Sequence, residues 1–322
     1  MTFDEFSAAL PADRTVEFCA VEEMEDIFAN AGVEQSMRQI GRGRFRAVLA
    51  QEITRDAEFY SDRYNRGLSM HLAPMTRSVG IVFPRSVSGD FLASGTNIGN
   101  DQLIVIPPGS GVDIVGHSLF GAESIVISQE RFSQLTETLC PTFERPEITT
   151  LFEGDHAQLH ALRQAVTDIV AHSELGSNGE EAANIVASSI AWMGESSKRQ
   201  LPIEISESAA CINVAKIAQQ YVESHYQESV HIEDLCRVTG VGARTMQRCF
   251  RKYFDMSVST YLKILRLDSA RRALHKEHSS EVTVTDIAMS NGCNHLGRFS
   301  VEFREQFGES PRAVLDSRPG KK

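Results

Sequence analysis

Arginine and glutamine side chains recur on one face of a short predicted helix, at about residues 243–253. With about 100° of rotation per residue, Met246, Cys249 and Phe250 fall on the inner side of this helix. The opposite side carries Arg244, Gln247, Arg248 and Arg251. Arginine pairs with guanine and glutamine with adenine through two hydrogen bonds in the major groove of DNA. The alternative is that these are solvated side chains on an ordinary helix surface.

Two stretches of the sequence precede helices in the same way. "EDLCRVTG" (233–240) and "TDIAMSNG" (285–292) place an acidic, an aliphatic and a small residue and then a glycine at identical offsets. A helix-turn-helix needs a small residue where its helices cross and a residue that tolerates a left-handed backbone in its turn. Downstream, "FRKYFDMSV" (250–258) parallels "FREQFGESP" (303–311), now 53 residues apart instead of 52. The repetition predicts two helix-turn-helix units.

The segment between the two units reads as a helix whose apolar face changes side midway. One side of a helix beginning near Ser257 carries Val258, Tyr261, Leu262 and Leu265. The roughly opposite side carries Leu267, Ala270 and Leu274. This pattern predicts a helix that packs on one bundle with its first half and on another with its second. Its length of ~27 Å is compatible with two recognition helices ~34 Å apart, in successive major grooves.

Charge is distributed unevenly along the 322 residues. From Ala209 to the end, 17 lysines and arginines oppose 13 aspartates and glutamates, whereas the first 208 residues hold 15 against 30. The net charge of −11 therefore hides a basic C-terminal third on an acidic body. This asymmetry is expected of a nucleic-acid-binding domain attached to another domain, with chance as the alternative.

The remaining chain predicts an α+β protein with two domains. Residues 44–132 show short apolar runs separated by glycine and proline, typical of a β-sandwich or barrel. Residues 155–193 return to helical periodicity. We therefore predict a first domain over 1–193, a linker over 194–208 and an all-helical second domain over 209–318.

The C-terminal third also resembles a known family. "RLDSARRAL" (266–274), the paired stretches and the ending "FREQFGESPRAVL" (303–315) are similar to the DNA-binding domain of the AraC/XylS-type bacterial transcription regulators. The resemblance implies two helix-turn-helix bundles joined by a linker helix. It also implies base readout by Arg244, Gln247 and Arg248, and phosphate or mixed contacts by Thr245, Arg251 and Lys252.

The second recognition helix, from about Leu296, departs from the family pattern. Val301 stands where an arginine is usual, and Cys293 where a phenylalanine is usual. Arg298 is a candidate for base readout, but we expect this unit to act mainly through phosphates. The candidates for phosphate or mixed contacts are Asn294, His295, Ser300 and Arg304, with Arg298 also available to phosphate.

Arginines on the linker helix have a structural alternative. We expect Arg266 and Arg271 to pair with Asp268 or neighbouring carboxylates in preference to DNA.

The first domain is similar, around "LIVIPPGSGVDIVGHSLFGAESIVIS", to the cupin-like sensing and dimerisation domains that many members of this family carry. A small-molecule pocket is expected inside the sandwich. Candidate lining residues are Arg63, Tyr64, His71 and Phe83, each with an equally plausible surface or core role. We expect no metal and no cofactor, because His71 and His117 are isolated.

The function expected is that of a transcription regulator, an activator that responds to a small-molecule effector. The alternative is an effector-independent regulator whose first domain serves dimerisation or protein–protein interaction, and an enzyme is a distant third. The expected partners are double-stranded DNA, RNA polymerase and a second copy of the chain. No apolar run of ~20 residues or signal peptide opens the sequence, so we expect a cytoplasmic protein with six unpaired thiols.

Overall fold

The computed structural model describes residues 1–30, 32–87, 91–172, 179–196, 200–202, 209–276 and 282–316. Parts of all three predicted segments lie outside the described residues: 31, 88–90 and 173–178 of the first domain, 197–199 and 203–208 of the linker, and 277–281 and 317–318 of the second domain. None of the helices in the described ranges has the length and apolar character needed to cross a bilayer.

The strands of the described chain all precede residue 203. They are β1 (Thr15–Phe18), β2 (Gln35–Gln39), β3 (Ala47–Ile53), β4 (Ala57–Tyr64), β5 (Leu68–Leu72), β6 (Ser78–Ser86), β7 (Phe91–Ala93), β8 (Thr96–Asn97), β9 (Gln102–Ile106), β10 (Val112–Gly116), β11 (Phe120–Ser128), β12 (Thr150–Glu153) and β13 (Gln200–Pro202).

Helices flank these strands and make up all the regular structure of the described residues after 202. They are α1 (Phe3–Ser7), α2 (Val21–Asn30), α3 (Gln129–Leu139), α4 (His156–His172), α5 (Gly179–Ser196), α6 (Ala209–His225), α7 (Ile232–Thr239), α8 (Ala243–Phe254), α9 (Val258–Lys276), α10 (Val284–Ser290), α11 (Leu296–Phe307) and α12 (Pro311–Asp316). The α+β class, with a β-rich N-terminal part and a helical C-terminal part, is confirmed.

Two sheets build the N-terminal part. One has the strand order β1-β3-β4-β11-β6-β9-β12-β13 and the other the order β2-β5-β10-β7-β8. In the first sheet, β11 pairs antiparallel with β4 and β6, so that Ile125 lies beside Phe59 and Ile81. These three side chains join a buried core with Leu159 of α4 and Ile190 of α5. The predicted sandwich therefore buries one face of its larger sheet under α4 and α5.

Contacts divide the chain into two compact units. The first contains Met1–Met37 and Arg46–Ser206, and the second contains Arg38–Phe45 and Glu207–Lys322. The sequence pattern had assigned 38–45 to the first domain. Within the second unit, Arg38 Nη1 donates to Tyr261 Oη (2.7 Å), and Gln306 Nε2 donates to the carbonyl of Gln39 (2.9 Å). Polar side chains thus hold this segment on the helices, whereas the apolar periodicity of the helices does not indicate it.

Helix α9 joins two separate cores of the second unit. Val258, Tyr261 and Leu265 pack in a core with α6, α7 and α8. Leu267, Ala270 and Leu274 pack in another with α10, α11 and α12. The predicted change of apolar face is confirmed. At 19 residues, α9 is about 28 Å long.

Candidate nucleic-acid interface

The first helix-turn-helix consists of α7, a turn at Gly240 and α8. Gly240 ends α7 in the left-handed conformation (φ 69°), and its N–H donates to the carbonyl of Cys236 (3.0 Å). Glycine adopts this conformation without the steric cost of a side chain. Met246 and Phe250 are fully buried in the core that α8 shares with α6 and α9. The predicted turn is confirmed, and α8 turns its other side outward.

That outer side of α8 carries the predicted DNA-binding residues. Its exposed side chains include Arg244, Gln247, Arg248, Arg251 and Lys252, and Thr245 is half-buried. Arg244, Gln247 and Arg248 form no ion pair with any other described residue. Their side chains can therefore extend without breaking a salt bridge first. Base and phosphate contacts by these residues stay predictions.

A disulfide bond joins α6 to α8. Cys211 lies in the first turn of α6 and Cys249 on the inner side of α8, with a Cα–Cα distance of 4.9 Å. The expectation of six unpaired thiols is wrong for this pair, because helix packing brings together residues that are 38 positions apart. Among the described residues the other cysteines are free: Cys19, Cys140, Cys236 and Cys293.

The second helix-turn-helix is built from α10, a turn at Gly292 and α11. Thr283 and Asp286 cap α10 reciprocally: the Thr283 N–H donates to Asp286 Oδ2 (2.9 Å), and the Asp286 N–H donates to Thr283 Oγ1 (3.2 Å). Gly292 is left-handed (φ 74°), and a Cβ there would lie 2.8 Å from the Tyr226 carbonyl oxygen. Ala288 is fully buried. The small residue and the turn glycine therefore have their predicted roles.

The outer side of α11 differs chemically from that of α8. The inner stripe of α11 is Phe299, Phe303 and Phe307, all buried. The predicted DNA-binding residues of this unit are exposed: Asn294, His295, Arg298, Ser300 and Arg304. His295 is the N-cap of α11, and Asn294 lies just before it. Val301 is also exposed, at 57%. Arg298 lies 3.8 Å from the Glu302 carboxylate, so its charge is partly neutralised before DNA arrives.

Arginines of α9 are engaged within the protein. Arg266 donates through Nε to the Tyr226 carbonyl and through Nη2 to the Glu228 carbonyl, both at 2.7 Å. Arg271 is buried, with Nη2 3.7 Å from Asp268 and its guanidinium over the Phe307 ring. The expected ion pair is thus found for Arg271. Arg266 stabilises the turn region through backbone carbonyls instead of the expected carboxylate.

Comparison with known proteins bears on these two units. Residues 235–317 match the family model of a helix-turn-helix domain. The probable thc operon regulatory protein of Rhodococcus erythropolis is 32% identical over 106 residues, which cover 33% of this chain and 32% of that protein. By its C-terminal domain, the chain belongs to the AraC/XylS family.

Other relatives of the AraC-type domain give similar matches. The transcriptional activator RhaS of Escherichia coli (strain SE11) is 27% identical over 167 residues, 50% of this chain and 57% of that protein. A probable AraC family regulator from Rhodopseudomonas palustris, of known structure, is 30% identical and matches 33% of this chain and 99% of its own, with a TM-score of 0.32. The matched parts of the chain thus span from 32% to 57% of the length of these curated relatives.

The four residues predicted to line an effector pocket do not meet at one place. Tyr64 lines a cavity of about 80 Å³ between the sheets. Arg63, its neighbour on β4, points to the opposite face, where it pairs with the buried Glu123. Phe83 lies in the core under α4 and α5. His71 is half exposed, with Nδ1 2.7 Å from Asp113 Oδ1. Successive strand residues point to opposite faces, which separates Arg63 from Tyr64.

Asp62 is a cavity-lining residue that the sequence reasoning missed. It lies with Tyr60 and Tyr64 among mostly apolar side chains such as Phe91 and Phe120. Burial raises the pKa of Asp62 to about 7, against the opposing charge of Arg63. The alternation along β4, which puts residues 60, 62 and 64 on one face, could have identified it. The cavity thus offers one carboxyl group that exchanges a proton near neutral pH.

The charged cluster on the other face of β4 is structural. Arg63 and Glu123 are fully buried, and Arg85 Nη2 lies 3.2 Å from Glu123 Oε1. Although burial opposes it, the nearby arginines Arg63, Arg85 and Arg163 lower the pKa of Glu123. In the described ranges no three histidine, cysteine, aspartate or glutamate side chains are grouped as metal ligands.

Proposed function

We propose that this chain is a sequence-specific DNA-binding transcription regulator that acts as an activator. The observation that carries the proposal is the pair of helix-turn-helix units, with Arg244, Gln247 and Arg248 exposed together on α8. Relatives of the AraC-type domain are named as regulators or activators of transcription. The acidic N-terminal part would serve regulation, and the basic C-terminal part would bind DNA.

The two helix-turn-helix units of this regulator contact successive turns of one face of DNA. Helix α8 reads bases in the major groove through arginine and glutamine. Helix α11 contributes phosphate contacts from Arg298 and Arg304, which fix position and register. One chain thus recognises an asymmetric site, because its two recognition helices differ in sequence.

Selection of DNA ligands from a randomised pool by the full chain tests this function. We expect enrichment of one asymmetric sequence, with informative positions about one helical turn apart. A variant with alanine at Arg244, Gln247 and Arg248 is the matched comparison. These positions are exposed, and alanine favours helix, so the variant folds but should enrich no base at the α8 positions. Absence of enrichment by the unaltered chain would contradict the proposal.

We also propose that the cavity between the sheets binds a small apolar effector with a polar group that faces Asp62. The lining is largely aliphatic and aromatic with few polar groups, which is the usual character of ligand sites. One observation favours the alternative, an effector-independent regulator. The cavity of about 80 Å³ is small beside the ~300–1,000 Å³ of most ligand pockets. An effector would have to enlarge it.

Thermal unfolding in the presence of metabolites separates these alternatives. An effector at 100 times its Kd stabilises the protein by ~2.7 kcal/mol. A matched variant, Ala122→Phe, places a large side chain in the cavity lining and should abolish the response. Unchanged unfolding temperatures across a broad library would favour the effector-independent regulator. Its N-terminal domain would then serve dimerisation or protein–protein interaction.

The remaining partners follow from the function. A cytoplasmic regulator of this kind would pair with a second copy through α4 and α5 and would contact RNA polymerase at the promoter. Sedimentation equilibrium with and without DNA tests the first contact. Transcription in vitro with purified polymerase, compared at promoters with and without the selected site, tests the second.

A further inference from the structure

Val301 occupies the outermost position of α11. With about 100° per residue, it lies ~200° from Phe299 and ~160° from Phe303, the two residues that point into the core. Its side chain is 57% exposed, near the middle of the 12-residue helix. A single exposed valine is common on protein surfaces. Val301, however, lies on the side of a recognition helix that would face the DNA groove.

The same position of α8 carries a predicted base reader. The two helices align at an offset of 53 residues, which superimposes Met246 on Phe299 and Phe250 on Phe303 as inner residues. At this offset Val301 corresponds to Arg248. The valine therefore stands where the first unit would contact a base.

Neighbouring side chains leave Val301 free to approach the base edges. The nearest carboxylate, that of Glu305 one turn later and ~40° away, is paired with an arginine at 3.3 Å. Gly297, one turn earlier and ~40° away, has no side chain, and a Cβ there would meet nothing within 4 Å. Arg298 and Arg304, ~60° to either side, are exposed and long enough to reach phosphates. The two arginines would flank the groove while the short apolar side chain faces its floor.

The chemistry of the major groove selects one partner for a valine. Thymine alone among the bases has an apolar group there, the C5-methyl. Against guanine, adenine or cytosine the valine would remove water from donors or acceptors that it cannot satisfy, which is unfavourable. We infer that Val301 reads a thymine through its C5-methyl group, so that the second unit specifies a base by apolar contact where the first uses hydrogen bonds.

Deoxyuridine substitution tests this inference, which rests on the proposed function. Deoxyuridine differs from thymidine only in lacking the methyl group. In the selected DNA site, each thymine of the half protected by α11 is replaced in turn, and binding of the full chain is measured. We expect about a fourfold loss at one position, the effect of withdrawing one buried methyl group, and no loss at the others.

Val301→Ala closes a double-mutant cycle. The variant should bind the thymidine and deoxyuridine sites equally, because the contact is already lost. Alanine is favourable in an exposed helix, and an unchanged unfolding temperature checks that the variant folds. A uracil effect at no position, or one that persists in Val301→Ala, would overturn the inference. Loss of all sequence preference in the unaltered chain would instead contradict the proposed function.

Discussion

The two helix-turn-helix units share a scaffold but differ in the residues that face outward. Both recognition helices are 12 residues long, and both units have a left-handed glycine in the turn. At the offset of 53, three predicted readers of α8 are replaced by small or apolar residues in α11: Arg244 by Gly297, Gln247 by Ser300 and Arg248 by Val301. Two core phenylalanines are kept, Phe250 as Phe303 and Phe254 as Phe307, because packing requires them, whereas the outer residues are free to change.

One cation is retained at the same offset. Arg251 of α8 corresponds to Arg304 of α11, and both are exposed near the C-terminal ends of their helices. A phosphate contact carries no sequence information, so it can be kept while the readers change. The comparison thus separates positioning, which both units can supply, from hydrogen-bonded base readout, for which the first unit has three side chains that the second replaces.

The inner side also differs, most clearly at the position of the disulfide. Cys249 of α8, bonded to Cys211, corresponds to Glu302 of α11. Glu302 is half-buried and lies 3.8 Å from Arg298 and 4.0 Å from Lys263. At this position a covalent bond therefore holds the first recognition helix. The second recognition helix has surface ion pairs there, which contribute little to stability.

Reduction of the disulfide should produce the largest effect. Closing a loop across 38 residues stabilises a folded unit by about 4 kcal/mol in the chain-entropy account. We expect a reductant to lower the stability of the first helix-turn-helix, measured by amide hydrogen exchange in α8, and to leave exchange in α11 less affected. A chain with alanine at both Cys211 and Cys249 is the control and should not respond to reductant. Equal exchange in α8 with and without reductant would contradict this expectation.

Arg248→Ala should cost ~1–3 kcal/mol of binding free energy at the preferred site and flatten the preference for one base. The reason is that a bidentate contact distinguishes guanine from other bases. Competition binding against sites altered at single positions measures the change. Arg145→Ala, which removes an exposed arginine of the β-rich N-terminal part, is the matched control for loss of charge. Retained preference in Arg248→Ala would show that α8 is not the principal reader.

Arg304→Ala should weaken all DNA sites alike. A lost phosphate contact reduces the slope of log K against log salt by about 0.9, which is about a fivefold loss of affinity at 0.15 M salt. Titrations at several salt concentrations with the selected site and with random DNA give both quantities. A loss confined to the selected site would mean that Arg304 reads a base.

The sequence predicted features that depend on local periodicity and missed those that depend on packing. The change of face in α9 and the turn glycines Gly240 and Gly292 follow from helical spacing and backbone conformation, and the structure bears them out. The Cys211–Cys249 bond requires the crossing of α6 and α8, which no local pattern encodes. For the cavity, strand alternation would have excluded Arg63 and included Asp62, but only with the register of β4 known.

Acidification should have the smallest effect. It should lower the stability of α10 in the second helix-turn-helix. Hydrogen bonds from the Thr283 side chain and backbone lower the pKa of Asp286. Because the folded pKa lies below the unfolded value, the ionised cap stabilises α10 above about pH 4 and loses this contribution as pH falls through the folded pKa. In the first unit, the His231 N–H donates to Asp234 at a longer 3.4 Å. Intrinsic amide exchange slows as the pH falls from about 5 to about 3, so the readout is the protection factor of the α10 amides, which corrects for it and should decrease over this range. Asp286→Asn, which keeps the side-chain size without the titration, should abolish that decrease; if the decrease remains in this variant, another group is responsible.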